Sequence, residues 1–262
     1  MPKRFLKHLH TPVVSALDEE VSDFSRLWFI RRQHSGESVE DARARLLDAL
    51  RARWRFDDPA RQELVLPIAL TLHRYGWAVA DLAESADLAM QAFVARVQPR
   101  AVERLAPKLR ELLTTEPQPL RRRPAVKRGW TQFREGDVLS IRLRDSYHAA
   151  HAWKVSQDGQ GSQPILRFYD AVYGHPPTIE ELRGASTRGE PLSDGRVHDT
   201  SFGIYGLRLQ PDPADQVAIV EAGVERGPDS SQLAPAVALW TVTHLFDLGR
   251  TIDRLWGEPT GG

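Results

Sequence analysis

The chain of 262 residues contains no cysteine, which excludes disulfide bonds and thiolate metal sites. Long apolar runs are missing too, because the longest, LVLPIALTL at 64–72, is far below the roughly 20 residues of a membrane-spanning helix. The first 20 residues combine basic side chains with a short apolar run closed by Asp18, Glu19 and Glu20, a poor match to a signal peptide. The sequence therefore predicts a cytoplasmic protein outside the membrane, since a chain without cysteine fits a reducing compartment.

The whole chain has no excess of positive or negative charge, because it contains 35 basic and 35 acidic residues. The two halves nevertheless differ: residues 1–129 hold 23 Lys and Arg against 17 Asp and Glu, whereas residues 130–262 hold 12 against 18. The halves thus carry +6 and −6, an asymmetry able to steer a charged partner toward one end of the molecule. Chance sorting of surface charge is the simpler alternative.

Signatures of catalysis and of cofactor binding are also missing. Neither GxGxxG nor GxxxxGK[ST] occurs, and GxSxG is absent, so no phosphate loop and no nucleophile elbow is predicted. His148 and His151 form an HxxH pair, but residues three apart on a strand face opposite sides, which argues against a shared metal. Ser201 follows His198 and Asp199, although neighbours in sequence rarely face one another. We predict no enzymatic activity, no catalytic residue, no cofactor and no metal.

The first 113 residues have the periodicity of helices. Apolar residues recur every three or four positions from Val39 to Trp54, which predicts an amphipathic helix, and Ser38 with Asp41 resembles a capping pair at its start. The other predicted helices cover about 10–32, 58–76, 79–97 and 100–113, with Pro67 and Pro107 as kinks or breaks.

Residues 114–129, TTEPQPLRRRPAVKRG, combine three prolines with five basic side chains and have almost no apolar pattern. This composition is typical of a linker. Basic side chains of this kind also suit contact with phosphate or an acidic partner, but a solvated linker is the more common explanation.

Beyond Gly129 the apolar period changes to two. In DVLSIRL, Leu139, Ile141 and Leu143 are predicted to face one side of a strand and the residues between them the other. Further strands are predicted at 148–155, 164–170, 203–209 and 216–224, and a short helix with a Thr178–Glu181 capping box at 178–184. The tail from 237 to 256 favours a closing helix, although LWTVTHLF within it also suits a strand.

The predicted fold class is α+β. An N-terminal helical domain (1–113) and a Pro/Arg-rich linker (114–129) precede a β-rich domain (130–262). This last domain is predicted as a curved antiparallel sheet or a partly open β-barrel with a closing helix.

Loops of the acidic half combine carboxylates with aromatic rings, a composition that suits the binding of a basic protein. Tyrosine supplies contact area and carboxylates match cations. Nucleic acid is disfavoured as a ligand, because the β-rich half is acidic and the helical half alternates Arg with Asp and Glu. The predicted partner-binding residues are Asp145, Tyr147, Asp158, Asp170, Tyr173, Glu180 and Glu181.

The stretch FREGDVLSIRLRDSYHAAHAWKV (133–155), followed by PILRFYD and PPTIEELRG, resembles the immunity protein 26 family of bacterial polymorphic toxin systems. Members look like a small all-β domain that opens with a G-D-V strand, here Gly136, Asp137 and Val138. The likeness covers about residues 130–185 and extends more weakly to 225. It implies an immunity protein that binds and occludes a cognate toxin, with a nuclease as one candidate, and it implies no catalytic residue.

Two alternatives stay open. The first is a scaffold or regulatory module that oligomerises through its helices, for example as a homodimer. The second is an enzyme without a recognisable signature, which would need a deep pocket around Tyr169, Asp170, His175 and His198.

Overall fold

The computed structural model describes residues 11–78, 80–96, 99–125, 129–158, 161–191, 196–234 and 241–256. The chain divides into two compact units, Met1–Lys127 and Arg128–Gly262. The first unit is helical and the second is built on a β-sheet, which confirms the predicted α+β class. The predicted domain borders at 113 and 130 remain a prediction. Within the described ranges, no helix has both the length and the apolar character of a membrane span.

Short 3₁₀ turns precede two helices of the first unit, at Pro59–Leu64 and at Ala80–Leu82. The predicted cap at Ser38 is confirmed, because its hydroxyl oxygen accepts a hydrogen bond from the backbone N–H of Asp41 at 3.0 Å. In the part of this unit that the structure describes, the α-helices are α1 Thr11–Ser35, α2 Val39–Trp54, α3 Val65–Arg74, α4 Ala83–Arg96 and α5 Pro99–Thr114.

The two prolines have different effects on the helices. The predicted helix from Asp58 is a 3₁₀ turn that ends before Val65, and Pro67 then lies in the first turn of α3, where its missing N–H is not needed. Pro107 lies inside α5, and the predicted break there does not occur. A proline removes only one helical hydrogen bond, and the buried Leu109 and Leu113 keep the following turns packed.

A buried ion pair joins the first two helices. Glu20 accepts hydrogen bonds from Nε of Arg53 at 2.6 Å and from the indole N–H of Trp54 at 2.7 Å. All three residues are buried, so each charge is compensated where water cannot reach it. This contact fastens α1 to α2 through buried polar groups.

The second unit contains a six-stranded sheet with the strand order β7-β1-β2-β3-β6-β8. Neighbouring strands are antiparallel except for β6 and β8, which are parallel. The two outer strands do not pair with each other, so the sheet is open and does not close into a barrel. Its strands are β1 Val138–Leu143, β2 Ser146–Asp158, β3 Gly161–Tyr173, β6 Phe202–Tyr205, β7 Val217–Glu221 and β8 Thr241–His244; a separate pair is β4 Glu190–Pro191 with β5 Val197–His198.

The two faces of the sheet carry different clusters. The predicted alternation in β1 is confirmed: Leu139, Ile141 and Leu143 belong to the main core, which the C-terminal helix Leu248–Trp256 covers. Val138 belongs to a smaller cluster on the opposite face, beneath the short helix Ile179–Leu182. We label these helices α7 and α6, and we call the second surface the α6 face. The predicted capping box of α6 is confirmed.

The predicted closing helix from 237 is wrong over part of its length. Residues 237–240 lie outside the described ranges, Thr241–His244 form β8, and α7 begins only at Leu248. Thr241, Val242 and Thr243 favour an extended backbone, and the exposed edge of β6 gives them a partner for a parallel ladder. The predicted strand at 203–209 likewise ends early, at Tyr205, because Gly206 takes a positive φ of 88°.

Candidate functional site

Five of the seven predicted binding residues lie at one end of the sheet. Asp145 is exposed in the turn between β1 and β2. Tyr147 lies directly opposite Tyr173 in the β2–β3 ladder. The chain then leaves β3 and forms α6, which carries Glu180 and Glu181. We call these five residues the tyrosine end.

The tyrosines are half-buried and their surroundings are acidic. Burial raises the pKa of the Tyr173 hydroxyl above its usual range, and the negative charge of Glu181 raises that pKa further. The ring of Tyr173 lies 6.4 Å from the ring of His175, whose Nε2 is 3.5 Å from a carboxylate oxygen of Glu181. The tyrosine end therefore offers neutral aromatic area next to negative charge.

Glu181 is held in place by the helix cap. Its carboxylate accepts hydrogen bonds from the backbone N–H of Thr178 at 2.8 Å and from the Thr178 hydroxyl at 3.0 Å. The backbone hydrogen bond is the larger cause that keeps the pKa of Glu181 below its usual range, and the side-chain hydrogen bond adds to it. This carboxylate is thus ionised and fixed before any partner arrives.

The two remaining predicted residues do not join this surface. Asp170 pairs with Arg188, with Oδ1 2.9 Å from Nη1, so its charge is already compensated. Asp158 lies opposite Gly161 at the far end of the β2–β3 hairpin. It is 11 positions along β2 from Tyr147, which corresponds to roughly 35 Å at the rise of an extended strand.

Neither of the two pockets described on the α6 face brings together the residues named for an enzymatic alternative. Tyr169 is buried, and desolvation raises the pKa of its hydroxyl to about 12. It lines a pocket of about 740 Å³ beside α6. Asp170 pairs with Arg188 and His175 approaches Glu181, while His198 lies in β5. Of the four, only Tyr169 lines either of the two pockets that the structure describes on the α6 face.

Ser201 and Asp199 both contact the guanidinium of Arg167. The Nε of Arg167 donates to the Ser201 hydroxyl at 3.3 Å, and its Nη2 lies 3.0 Å from a carboxylate oxygen of Asp199. The same guanidinium stacks over the ring of Trp153, 4.7 Å from the centroid. These contacts neutralise and orient Arg167.

Sequence reasoning missed the second pocket of the α6 face. The segment Gly223–Asp229, which we call the strap, is anchored at one end by the Val224 N–H to the Gly136 carbonyl at 2.8 Å. At the other end, the Asp229 N–H donates to the Ala185 carbonyl at 3.1 Å. Next to the strap lies a pocket of about 490 Å³, the strap pocket, lined among others by Glu135, His151, Trp153, Arg167, Val224 and Glu225.

A buried ring nitrogen of His151, next to this pocket, has no hydrogen-bond partner among the described residues. Its Nε2 lies 2.9 Å from the Val224 carbonyl, which only accepts, so in the neutral ring Nε2 carries the hydrogen and Nδ1 carries the lone pair. Nδ1 is buried and has no donor among the described residues. The indole N–H of Trp153 is likewise buried without a described acceptor. Buried polar atoms without a partner are uncommon in a folded protein, where such groups are usually hydrogen-bonded.

The two histidines of the HxxH pair face opposite sides of the sheet, as the alternation of side chains along a strand requires. His148 lies on the face of the sheet that α7 covers and packs against Trp256, with ring centroids 4.6 Å apart. His151 lies on the α6 face. In the described ranges, no three His, Asp or Glu side chains are grouped so as to hold a metal ion.

Known proteins provide no further guide to this site. The chain matches no protein-family model, no curated protein and no solved structure. The resemblance to the immunity protein 26 family stays a prediction that rests on residues 133–155 and the two short stretches after them. What this chain does has to be inferred from the chemistry of its own surfaces.

Proposed function

We propose that the chain is a binding protein of the immunity type, which recognises a basic toxin through the tyrosine end and occludes the toxin's active surface. The observation that carries the proposal is the pairing of Tyr147 with Tyr173 across β2 and β3, next to the carboxylates of the turn and of α6. Two long paired strands hold these rings in a defined place, as a preformed interface requires.

The chemistry of the tyrosine end matches a basic protein surface. Tyrosine rings are common anchors of protein interfaces, and both rings here are half-buried. Asp145, Glu180 and Glu181 supply negative charge, and the residues from 130 onward carry a net charge of −6. An enzyme that acts on nucleic acid must present cations to hold phosphate, so such a toxin would be attracted to this surface.

Occlusion requires rigid shape and charge more than reactive groups. The β2–β3 ladder and the Thr178 cap fix the aromatic and acidic groups before binding, so little conformational entropy remains to be lost. A partner held at this end of the sheet would have its cationic surface covered, while no bond in either protein changes. The proposed activity is therefore stoichiometric binding, without turnover.

The direct test is protection of growing cells. The chain would be co-expressed with the toxic domain encoded beside its gene, and we expect growth to be rescued and a stable complex to be isolated. The double variant Tyr147→Ala/Tyr173→Ala should lose protection, because removing interface anchors typically weakens binding by about 2 kcal/mol or more each.

A control variant shows whether the loss is specific to the tyrosine end. Asp158→Asn removes one carboxylate at the opposite end of the β2–β3 hairpin and should protect cells as well as the parent chain does. Folding of each variant is checked by circular dichroism. Full protection by the double tyrosine variant, or a neighbouring toxic domain that ignores this chain, would refute the proposal.

A further inference from the structure

The pocket of about 740 Å³ that Tyr169 lines is formed by residues of α6 and of the strap, and we call it the α6 pocket. Backbone hydrogen bonds fasten the strap beside the end of α6. The Asp229 N–H donates to the Ala185 carbonyl at 3.1 Å, and the Thr187 N–H donates to the Asp229 carbonyl at 2.8 Å. The pocket is therefore held open by fixed backbone, and its volume is within the range of sites that take small organic molecules.

Much of the lining of the α6 pocket is apolar. Leu182 is buried, whereas Ile179, Ala185 and Val224 are half-buried and keep part of their surface open. All four belong to the apolar cluster beneath α6 or pack against it. An occupant with an apolar body would be stabilised here, because contact with these side chains removes apolar surface from water on both sides.

Tyr169 brings a polar group to this apolar lining. The residue is 3% exposed, and its hydroxyl forms no hydrogen bond with a described residue. The oxygen is not among the buried atoms that the surrounding protein seals off, so it remains within reach of the pocket that Tyr169 lines. Burial raises the pKa of this hydroxyl to about 12, which keeps it a neutral O–H donor at physiological pH. The group calls for an acceptor on the occupant.

The available charge at the α6 pocket is positive. Arg226 is exposed and forms no ion pair with a described residue. The Nη2 of Arg183 lies 3.8 Å from Oε1 of Glu180, a weak pair because both side chains are mostly exposed. Asp229 is the one acid in the described lining, and its two oxygens already accept hydrogen bonds from the N–H and hydroxyl of Ser231 at 2.9 and 3.0 Å.

We propose that the α6 pocket binds a small organic anion with an apolar body, whose carboxylate or phosphate group is held by Arg183, Arg226 and the hydroxyl of Tyr169. Charged acceptors form the stronger hydrogen bonds with guanidinium groups, and both anions can accept from an arginine through two oxygens. A cation would meet two like charges in this pocket. A neutral hydrocarbon would leave the Tyr169 hydroxyl without a partner.

The test uses the full chain and three matched probes. Phenylbutyrate carries a carboxylate on an apolar body, phenyl phosphate carries a phosphate, and phenylbutyramide has the shape of the first probe without its charge. Binding is measured by isothermal titration calorimetry, and contact of the phenyl ring with the protein by saturation-transfer NMR. We expect saturable binding of at least one anionic probe with a dissociation constant below about 1 mM, and about tenfold weaker binding of the amide.

Variants locate the binding. Arg183→Gln/Arg226→Gln should weaken it about tenfold or more, because both cations are lost. Tyr169→Phe keeps the ring in the cluster and removes only the hydroxyl, so binding should weaken about threefold to tenfold. Arg121→Gln/Arg122→Gln removes the same charge from exposed positions of the first unit and should leave binding unchanged. Circular dichroism checks that each variant is folded.

The two anionic probes distinguish the ligand types. Binding of phenylbutyrate alone would identify a carboxylate, and binding of phenyl phosphate alone a phosphate ester; either result, or both together, supports the site. Absence of binding by both anions, equal binding of the amide, or undiminished binding by the arginine variant or by Tyr169→Phe overturns it. None of these measurements involves a toxin, so the function proposed above stands or falls separately.

Discussion

A buried glutamate of the helical unit and two buried histidines of the sheet unit are satisfied to different degrees. In the helices, the buried Glu20 is satisfied by Arg53 and Trp54, so the charge serves the fold. In the sheet, His148 and His151 are buried, and each has a ring nitrogen without a described partner. A buried charge with hydrogen-bond partners holds two elements together. A buried acceptor without a partner lowers the free energy of unfolding. The difference directs the search for function to the sheet unit.

Removing the ion pair should produce the largest change in stability. Glu20→Gln removes the negative charge that faces the buried Arg53, and breaking a buried pair typically costs about 3–5 kcal/mol. We expect the helical signal in circular dichroism to be lost at lower urea concentration. Asp48→Asn, which breaks an exposed pair with Arg51, should cost less than about 1 kcal/mol. Equal midpoints for the two variants would show that the buried pair does not fasten α1 to α2.

Acid should weaken the sheet unit through His148. Burial lowers the pKa of this ring to about 4, although the charge of Asp253 opposes the shift, whereas the unfolded chain has the ordinary value of 6.5. Because the unfolded state takes up the proton first, the contribution is complete above pH 6.5 and is lost as pH falls toward 4. Between pH 7 and 4.5 the free energy of unfolding should drop by about 2–3 kcal/mol.

A pair of variants checks this assignment. His148→Leu keeps the ring site apolar against Trp256 and should remove most of the drop in melting temperature between pH 7 and 4.5. His175→Leu, at an exposed position, should keep the drop. If both variants lose stability in acid as the parent chain does, a group other than His148 is responsible.

Removing negative charge from the tyrosine end should weaken toxin binding moderately, mainly by lowering the association rate. The triple variant Asp145→Asn/Glu180→Gln/Glu181→Gln should bind the toxin about tenfold more weakly at low salt, chiefly through slower association. Raising the salt from about 50 mM to about 500 mM should weaken the parent complex and bring it close to the variant. An affinity of the parent chain that stays flat over this range would eliminate the acidic contribution.

Substitution of Asp170 should change toxin affinity least. Its carboxylate is already paired with Arg188, so Asp170→Asn removes little charge that a partner could use. We expect toxin affinity to change by less than about 0.5 kcal/mol, as is usual for an exposed pair. A loss comparable to that of Asp145→Asn, measured in the same assay, would place Asp170 inside the interface after all.

Local patterns predicted a large part of the fold. The amphipathic period from Val39 to Trp54, the alternation of Leu139 and Ile141, and the Thr178 capping box all depend on neighbours in sequence, and all three are found. The tail was misjudged because its residues suit either a helix or a strand. The available edge of β6 decided the matter, and each residue of that edge is 39 positions away in the chain from the residue of β8 that pairs with it.

The tyrosine end and the strap pocket also differ in how much of each could be predicted from the sequence. The tyrosine end could be named in part from composition, but only the β2–β3 register brings Tyr147 beside Tyr173 and carries Asp158 to the opposite end. The strap pocket could not be named at all, since nothing in the order of residues tells that Gly227 comes to lie against His151.

The sequence by itself determined the α+β order, the helix caps, the face of each residue in β1 and the separation of charge between the halves. These depend on spacing and residue type, which act over a few positions. The tertiary structure alone decided the open sheet, the strand in the tail and the pocket under the strap. Each requires segments far apart in the chain to meet, and which segments meet depends on the packing of the whole unit.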